Sequence, residues 1–229
     1  MPNITARDFP TILNINPYET AYQCLETKVE KKHMFFGNKF TEHGCKYEKL
    51  AIKTYEMQTG NKVNSNQGIA KHPEYSWITG RVDGLTEIIE NNESTSTNSN
   101  KKRRKLNNHK ELKIIPCVVE IKCPLKKDRD SELTLENMPI YYWAQCQVYM
   151  NILDYEYTHY AEFYIEPDAP EDTGILHYIT VPRDKLWWDE SLPKIKLFYE
   201  EMQKYCKIGN LESHPVRIVE NLWKNQYST

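Results

Sequence analysis

No Cys-x-x-Cys pair, no secretory leader and no apolar run long enough to span a bilayer occurs in this 229-residue sequence. The six cysteines, Cys24, Cys45, Cys117, Cys123, Cys146 and Cys206, are scattered along the chain. Free thiols in a reducing interior are therefore expected rather than a disulfide framework. A membrane helix needs about 20 consecutive apolar residues, and their absence points to an intracellular protein of cytoplasm or nucleus, with no membrane partner. Positive charge is not in excess either. Thirty Lys+Arg against 32 Asp+Glu leave a formal net charge of −2, which excludes an indiscriminate nucleic-acid coat, so any grip on DNA has to be local. His43, His72, His109, His159 and His177 lack metal-ligand spacing and read as structural or surface groups. What is abundant is tyrosine, with 16 residues, most of them expected to pack in the core or on strands with a wet hydroxyl.

Periodicity divides the chain into one large domain over 1–229, long enough to bury a substantial core. A short helix and a longer one around Tyr18 to Val29 are expected within 11–36, then a helix over 38–58 ending near Gly60. Strands are expected from Lys62 to Ala70, Trp77 to Ile89 and Lys113 to Ile121, forming a central antiparallel-to-mixed sheet. A helix from Tyr141 to Leu153 follows, then a strand pair at Tyr157–Ile165 and Ile175–Val181. The last element is an amphipathic helix from Arg183 to Tyr205 that Pro193 kinks or divides. Residues 91–110 are polar and of low complexity and include Lys101-Lys102-Arg103-Arg104-Lys105. They cannot bury a core, and a disordered loop is expected there.

Chemistry concentrates at Glu120-Ile121-Lys122, which closes the apolar run Ile114-Ile115-Pro116-Cys117-Val118-Val119. Strand period places Glu120 and Lys122 on one face and Ile121 on the other. Asp83, in Gly80-Arg81-Val82-Asp83-Gly84, ends a second run, so pairing of the two strands brings two carboxylates toward a single divalent ion. Phosphodiester hydrolysis calls for that arrangement, because a nucleophile must approach an anionic phosphate whose growing charge a cation can neutralise. Magnesium takes hard oxygen ligands at roughly 2.0–2.1 Å and keeps several waters, so two carboxylates and the Ile121 carbonyl suffice. Lys122 suits water positioning and charge compensation, with general-base duty left open. A lone Glu-x-Lys also fits a cross-face ion pair at a strand end. Further pieces change the weighing. Glu48 flanks a helical stripe of Tyr47, Leu50, Ala51, Thr54 and Tyr55, and Tyr142, Gln145 and Tyr149 share one helix face at i, i+3, i+7.

In order, Gly44-x-x-x-Glu48, Gly80-x-x-Asp83-Gly84, Glu120-x-Lys122-Cys123-Pro124 and Tyr142-x-x-Gln145-x-Gln147 resemble the lambda-exonuclease-like, YqaJ-type viral recombinase branch of the restriction-endonuclease-like nucleases. The segment from Ile4 to Thr20 is similar to that family's substrate-facing turn and short helix. The resemblance implies an α/β fold with a restriction-endonuclease-like core, a central mixed β-sheet flanked by helices. It implies Asp83, Glu120 and the Ile121 carbonyl as metal ligands and Lys122 as the catalytic lysine. Glu48 would act at a second metal or its water, and Gln145 would position water or phosphate. Arg7, Thr5, Thr11, Tyr142, Gln147 and Tyr149 are the substrate-binding candidates. Two positions depart from the pattern. Val82 stands where the superfamily often has proline, and Arg7 stands where relatives commonly carry a phosphate-binding serine.

The expected activity is a Mg²⁺-dependent deoxyribonuclease, with Mn²⁺ as substitute, acting as an exonuclease on double-stranded DNA ends in recombination, replication or repair. A structure-specific endonuclease of the same fold and an inactive DNA-end-binding module are the alternatives. An iron–sulfur cluster, as in CRISPR-type relatives, is not expected, because Cys206 stands alone near the C-terminus. The resemblance also allows a homo-oligomer, a single-strand annealing protein as partner, and for a viral protein a virion or virus-factory location.

Overall fold

β-Branched and aliphatic residues fill Lys113–Lys122, and this stretch is the strand around which the functional end of the molecule is arranged. A computed structural model describes residues 1–32, 37–90, 113–125, 132–166, 169–170 and 173–219. The polar loop 91–110 and its basic run lie outside the described residues. In chain order the elements are β1 (Ile4–Thr5), α1 (Asp8–Ile12), α2 (Ala21–Glu30), α3 (Lys39–Thr59), β2 (Ala70–Lys71), β3 (Ile78–Gly80), β4 (Gly84–Glu90), β5 (Lys113–Lys122), α4 (Ile140–Leu153), β6 (Tyr157–Tyr164), β7 (Ile175–Pro182) and α5 (Lys185–Ile208).

Two sheets form instead of the single central sheet expected. The larger has the order β4-β5-β6-β7, with β5 and β6 parallel and the outer pairs antiparallel. The smaller has the order β1-β3-β2, with β1 parallel to β3. The expected strand from Trp77 to Ile89 is thus two strands in different sheets, separated at Arg81–Asp83. The expected strand at Lys62–Ala70 is mostly irregular. It contributes only Ala70 to β2 and an isolated bridge between Asn64 and Leu85.

Side-chain alternation along β5 divides the core. Val118 points into a cluster with Ile4, Phe9, Ile78, Val148, Tyr149 and Ile195, whereas Val119 and Ile121 point into one with Ala51, Tyr55 and Phe163. Helix α3 covers the second face; its start is fixed by reciprocal capping between Asn38 and Thr41 and its end by Gly60 at φ 75°. On the other face, α4 is buried continuously from Ala144 to Ile152 and contacts both sheets through β2, β3, β5 and β6. Such a central position selects a largely apolar helix whose few polar residues, Gln145, Gln147 and Asn151, are hydrogen-bonded. Helix α5 is capped by Asp184 and runs unbroken past Pro193, so that proline does not divide it.

Candidate active site

Glu120 and Lys122 emerge at the C-terminal end of β5 on the face covered by α4. Glu120 is 1% exposed. Its Oε1 accepts from the Lys122 ammonium and from Gln145 Nε2 at 2.9 Å, while its buried Oε2 has no partner among the described residues. An unsatisfied buried carboxylate oxygen is expensive, typically by several kcal/mol, and such groups mark sites completed by something else. Burial and the nearby Asp83 push the Glu120 carboxyl up to about 7 against the pull of Lys122 and Arg7. Lys122 is also shifted upward: burial alone would lower it, but Glu120 and Asp83 overcome that. Its Nζ lies 4.8 Å from the centroid of the Tyr142 ring, so the ammonium is held between a carboxylate and an aromatic face.

The second carboxylate arrives from the link between the two sheets. Asp83 Oδ2 accepts the Ile121 N–H at 2.8 Å. Strand β4 begins at Gly84, opposite Val119, so Ile121 lies beyond the β4 ladder and Asp83 takes the place of a strand partner. In an extended strand the carbonyl leaves on the same side as the N–H of its residue, so the Ile121 carbonyl is directed toward the same flank. Two glycines make this link possible. A Cβ at Gly80 would lie 2.8 Å from the Tyr149 ring, and one at Gly84 would lie 2.3 Å from Val63. Tyr149, 2% exposed, completes the frame: its hydroxyl donates to the Arg81 carbonyl at 2.9 Å and accepts from Gln145 Nε2 at 2.7 Å. One hydrogen-bonded chain therefore runs from the Asp83 link through Tyr149 and Gln145 to Glu120.

Glu48 approaches from α3. Its carboxyl is raised, first by burial and then by Asp83, against the opposing pull of Arg81, Lys122 and Arg7. Gly44, one turn earlier, has nothing within 4 Å of where a Cβ would stand, so packing does not require glycine in this mid-helix position. Arg7, exposed at the N-cap of α1, carries its charge into the same neighbourhood. Burial of the guanidinium is outweighed by the fields of Tyr149, Glu120 and Asp83, and its basicity is raised. The carboxylate next to it, Asp8, is engaged by Lys28 at 2.6 Å and by the Thr5 N–H and hydroxyl at 2.6 and 2.8 Å.

The structure thus brings together Asp83, Glu120, Ile121, Lys122, Glu48, Gln145, Arg7 and Tyr142. Four of the substrate-binding candidates are held by the protein itself. Both amide atoms of Gln147 are engaged, donating to the Pro182 carbonyl at 2.9 Å and accepting from the Asp184 N–H at 2.7 Å; it holds α4 to the start of α5. Thr11 is buried, and its hydroxyl accepts from Asn16 and donates to Glu19. Thr5 is tied to Asp8. Tyr149 is buried and bonded to Gln145 and the Arg81 carbonyl. Sequence reasoning passed over Arg81, exposed and electrostatically coupled to Glu48. Its signal was its place two residues before Asp83.

The donor set suits a hard cation. Among the described residues no group of three or more His, Cys, Asp or Glu side chains is placed to hold a metal ion, so the candidate donors here are two carboxylates and a backbone carbonyl. Two carboxylates, a carbonyl and water do fit magnesium, and the unpartnered Glu120 oxygen is a hard donor of the matching charge.

The fold is restriction-endonuclease-like, as in solved exonucleases of similar structure. An alkaline exonuclease of Laribacter hongkongensis, LHK-Exo, superposes with a TM-score of 0.60 at 16% identity over 90% of each chain. The same exonuclease in complex with dAMP gives 0.58 at 15% identity over 94% of each chain. A phage-related exonuclease of Haemophilus somnus 129PT gives 0.53 at 17% identity, covering 89% of this chain and 93% of that one. The chain belongs to the YqaJ-like viral recombinase domain family, whose model matches residues 2–159. A relative, uncharacterized protein R354 of Acanthamoeba polyphaga mimivirus, is 23% identical over 173 residues; these cover 74% of this chain and 28% of that protein. The chain therefore spans little more than a quarter of that relative.

Proposed function

We propose that this chain is a magnesium-dependent deoxyribonuclease that degrades double-stranded DNA from its ends, in recombination, replication or repair. The observation that carries the reading is the buried Glu120 carboxylate with one oxygen satisfied by Lys122 and Gln145 and the other left open, beside an Asp83 already oriented by Ile121. Asp83, Glu120 and the Ile121 carbonyl would hold the ion, with manganese able to replace magnesium. When bound, it neutralises charge on the scissile phosphate and acidifies water.

The remaining work falls to this chain's own groups. Lys122 keeps a positive charge where anionic phosphate and attacking water meet. Gln145 and Tyr149 fix the Glu120 carboxylate so that little reorganisation accompanies the reaction. Glu48, whose affinity for protons is raised, can take a proton from the water as its oxygen bonds to phosphorus and the ester oxygen leaves. Arg7 offers a bidentate contact to a neighbouring phosphate. The exonuclease of similar fold that binds dAMP supports release of a mononucleotide. The mimivirus relative supports a viral setting. Among the described residues no helix is long and apolar enough to cross a membrane.

Digestion of end-labelled linear duplex beside covalently closed circular DNA tests the reading. Mononucleotides should appear from the linear substrate with magnesium and vanish after chelation. Equal cutting of the circle would make it an endonuclease. End binding without products under any metal would make it a recognition module.

A further inference from the structure

A row of aromatic rings leads from the candidate active site to the surface. Tyr142, beneath the Lys122 ammonium, contacts Tyr141 at a centroid distance of 4.4 Å, and Tyr141 contacts Tyr18 edge-to-face at 5.8 Å and 81°. Tyr18 is 79% exposed, so this contact uses only part of the ring and leaves the rest to solvent. The fold nevertheless fixes the loop that presents it. Asn16 accepts the Tyr18 N–H at 3.0 Å and donates to the buried Thr11 hydroxyl at 2.7 Å, tying the Pro17–Tyr18 turn to α1. A phenol held in water by a dedicated hydrogen-bonded turn does nothing for the core.

We propose that the exposed face of Tyr18, buttressed edge-to-face by Tyr141, is a stacking platform for an unpaired base at the DNA end, next to the phosphate contacted by Lys122 and Arg7. The proposal rests on the nuclease reading above and specifies which part of the substrate that site recognises. Every nucleobase offers a π-face, so the platform accepts any of the four. Its position beyond Lys122 places the base outward from the carboxylates, where a splayed or single-stranded terminal nucleotide reaches and a fully stacked pair does not. The site then favours frayed or overhanging ends over clamped ones.

Binding of short 5′- and 3′-phosphorylated duplexes, under chelation to prevent cleavage, tests this by fluorescence anisotropy. One series carries an unpaired natural nucleotide at the terminus and the other an abasic residue there. Wild type should bind the natural end roughly 5- to 100-fold more tightly. Tyr18→Ala should lose most of that ratio and Tyr18→Phe should keep it, with melting temperatures of both variants near wild type because the ring is exposed. Equal affinity of wild type for the two ends, or an unchanged ratio in Tyr18→Ala, overturns the platform. Magnesium-dependent degradation of the natural duplex, measured in parallel, distinguishes failure of the platform from failure of the nuclease reading. If wild type neither binds nor degrades any linear duplex, the nuclease reading fails and the platform with it; if it does both with a flat ratio, only the platform fails.

Discussion

Two clusters of opposite charges occur in this molecule, and they are built to opposite standards. Near the C-terminus, Arg217 donates to Glu26, to Glu30 at 3.1 Å and to the Tyr22 hydroxyl at 3.0 Å, and the Leu211 N–H takes the other Glu30 oxygen at 2.8 Å. Although burial alone would raise the Glu30 carboxyl, Lys32, Leu211 and Arg217 bring it down to about 2. At the end of β5 the same residue types give the reverse: Glu120 is raised and keeps an oxygen without a partner. Closed valences identify the first cluster as a clasp holding α2 against the C-terminal segment. Open valences identify the second as a place where a ligand completes the structure, at a cost in stability that the frame of Tyr149 and Gln145 sustains.

The sharpest way to break that contrast is Glu120→Gln. Cleavage should fall to background, and Asp83→Ala should do the same. Stability reads the site separately. A carboxyl whose folded pKa is about 7, above its ordinary 4.5, weakens the fold increasingly as pH rises from about 4.5 through 7. The glutamine variant loses that titration and leaves the Lys122 ammonium without its counter-charge, so its unfolding free energy without metal should vary less with pH than that of wild type between about pH 5 and 8, measured in urea. An unchanged pH profile in the variant would put Glu120 with the clasp.

Lys122→Ala should lower the single-turnover rate by about 10²–10⁴ while DNA affinity under chelation changes far less. Equal losses in rate and affinity would reduce Lys122 to a phosphate anchor.

Arg217→Ala attacks the satisfied cluster. Removing the guanidinium takes from the half-buried Glu26 and Glu30 their shared counter-charge, and should cost about 1–3 kcal/mol in unfolding free energy. Turnover per folded molecule should be retained. The pH dependence again separates the clusters. The Glu30 contribution is fully present above the ordinary carboxylate range and is lost as pH falls through about 4.5 toward 2. An acid titration of stability should flatten in part in the variant, because Lys32 and the Leu211 N–H still act on Glu30. An unaltered acid limb would mean that Arg217 adds nothing to them.

Legibility in the sequence followed the range of the interactions. Glu120 and Lys122 could be placed on one face because a single strand period decides it, and Tyr142, Gln145 and Tyr149 because a single helix does. Both regularities appear in the structure. Whatever depends on a second segment passing close by was not readable. Trp77 to Ile89 has the composition of one strand, yet the Tyr149 ring lies against Gly80 and Val63 lies over Gly84, and between them the chain changes sheets. Lys62 to Ala70 looked like a strand for the same local reason, but it passes over β4 and bonds to it through the Asn64–Leu85 bridge and the Thr86 hydroxyl on the Lys62 carbonyl. Gln147 was hard to read for a different reason. A polar residue on a buried helix reads as functional until the backbone atoms of Pro182 and Asp184 that it serves are known. Arg217 and its two glutamates lie nearly 190 positions apart, a pairing no local pattern announces.

Arg7 tests the boundary between the two kinds of cluster, since it is exposed like a surface charge yet feels Glu120 and Asp83. A surface arginine would ordinarily pair with the nearest acid, but Asp8 is already engaged by Lys28 and Thr5. The guanidinium therefore sits beside the open site, where a planar fork can hold a terminal phosphate through two charge-assisted hydrogen bonds. Because the group remains partly in water, the effect should be the smallest of the series, about 10-fold. Initial rates on phosphorylated and hydroxyl ends should differ by that factor in wild type. Arg7→Ala should bring the two rates together chiefly by slowing the phosphorylated substrate, leaving hydroxyl ends within about 3-fold of wild type. A preserved ratio in the variant would return Arg7 to the ordinary surface and shift weight toward internal cutting, because an enzyme that does not read the terminal phosphate has less reason to begin at an end.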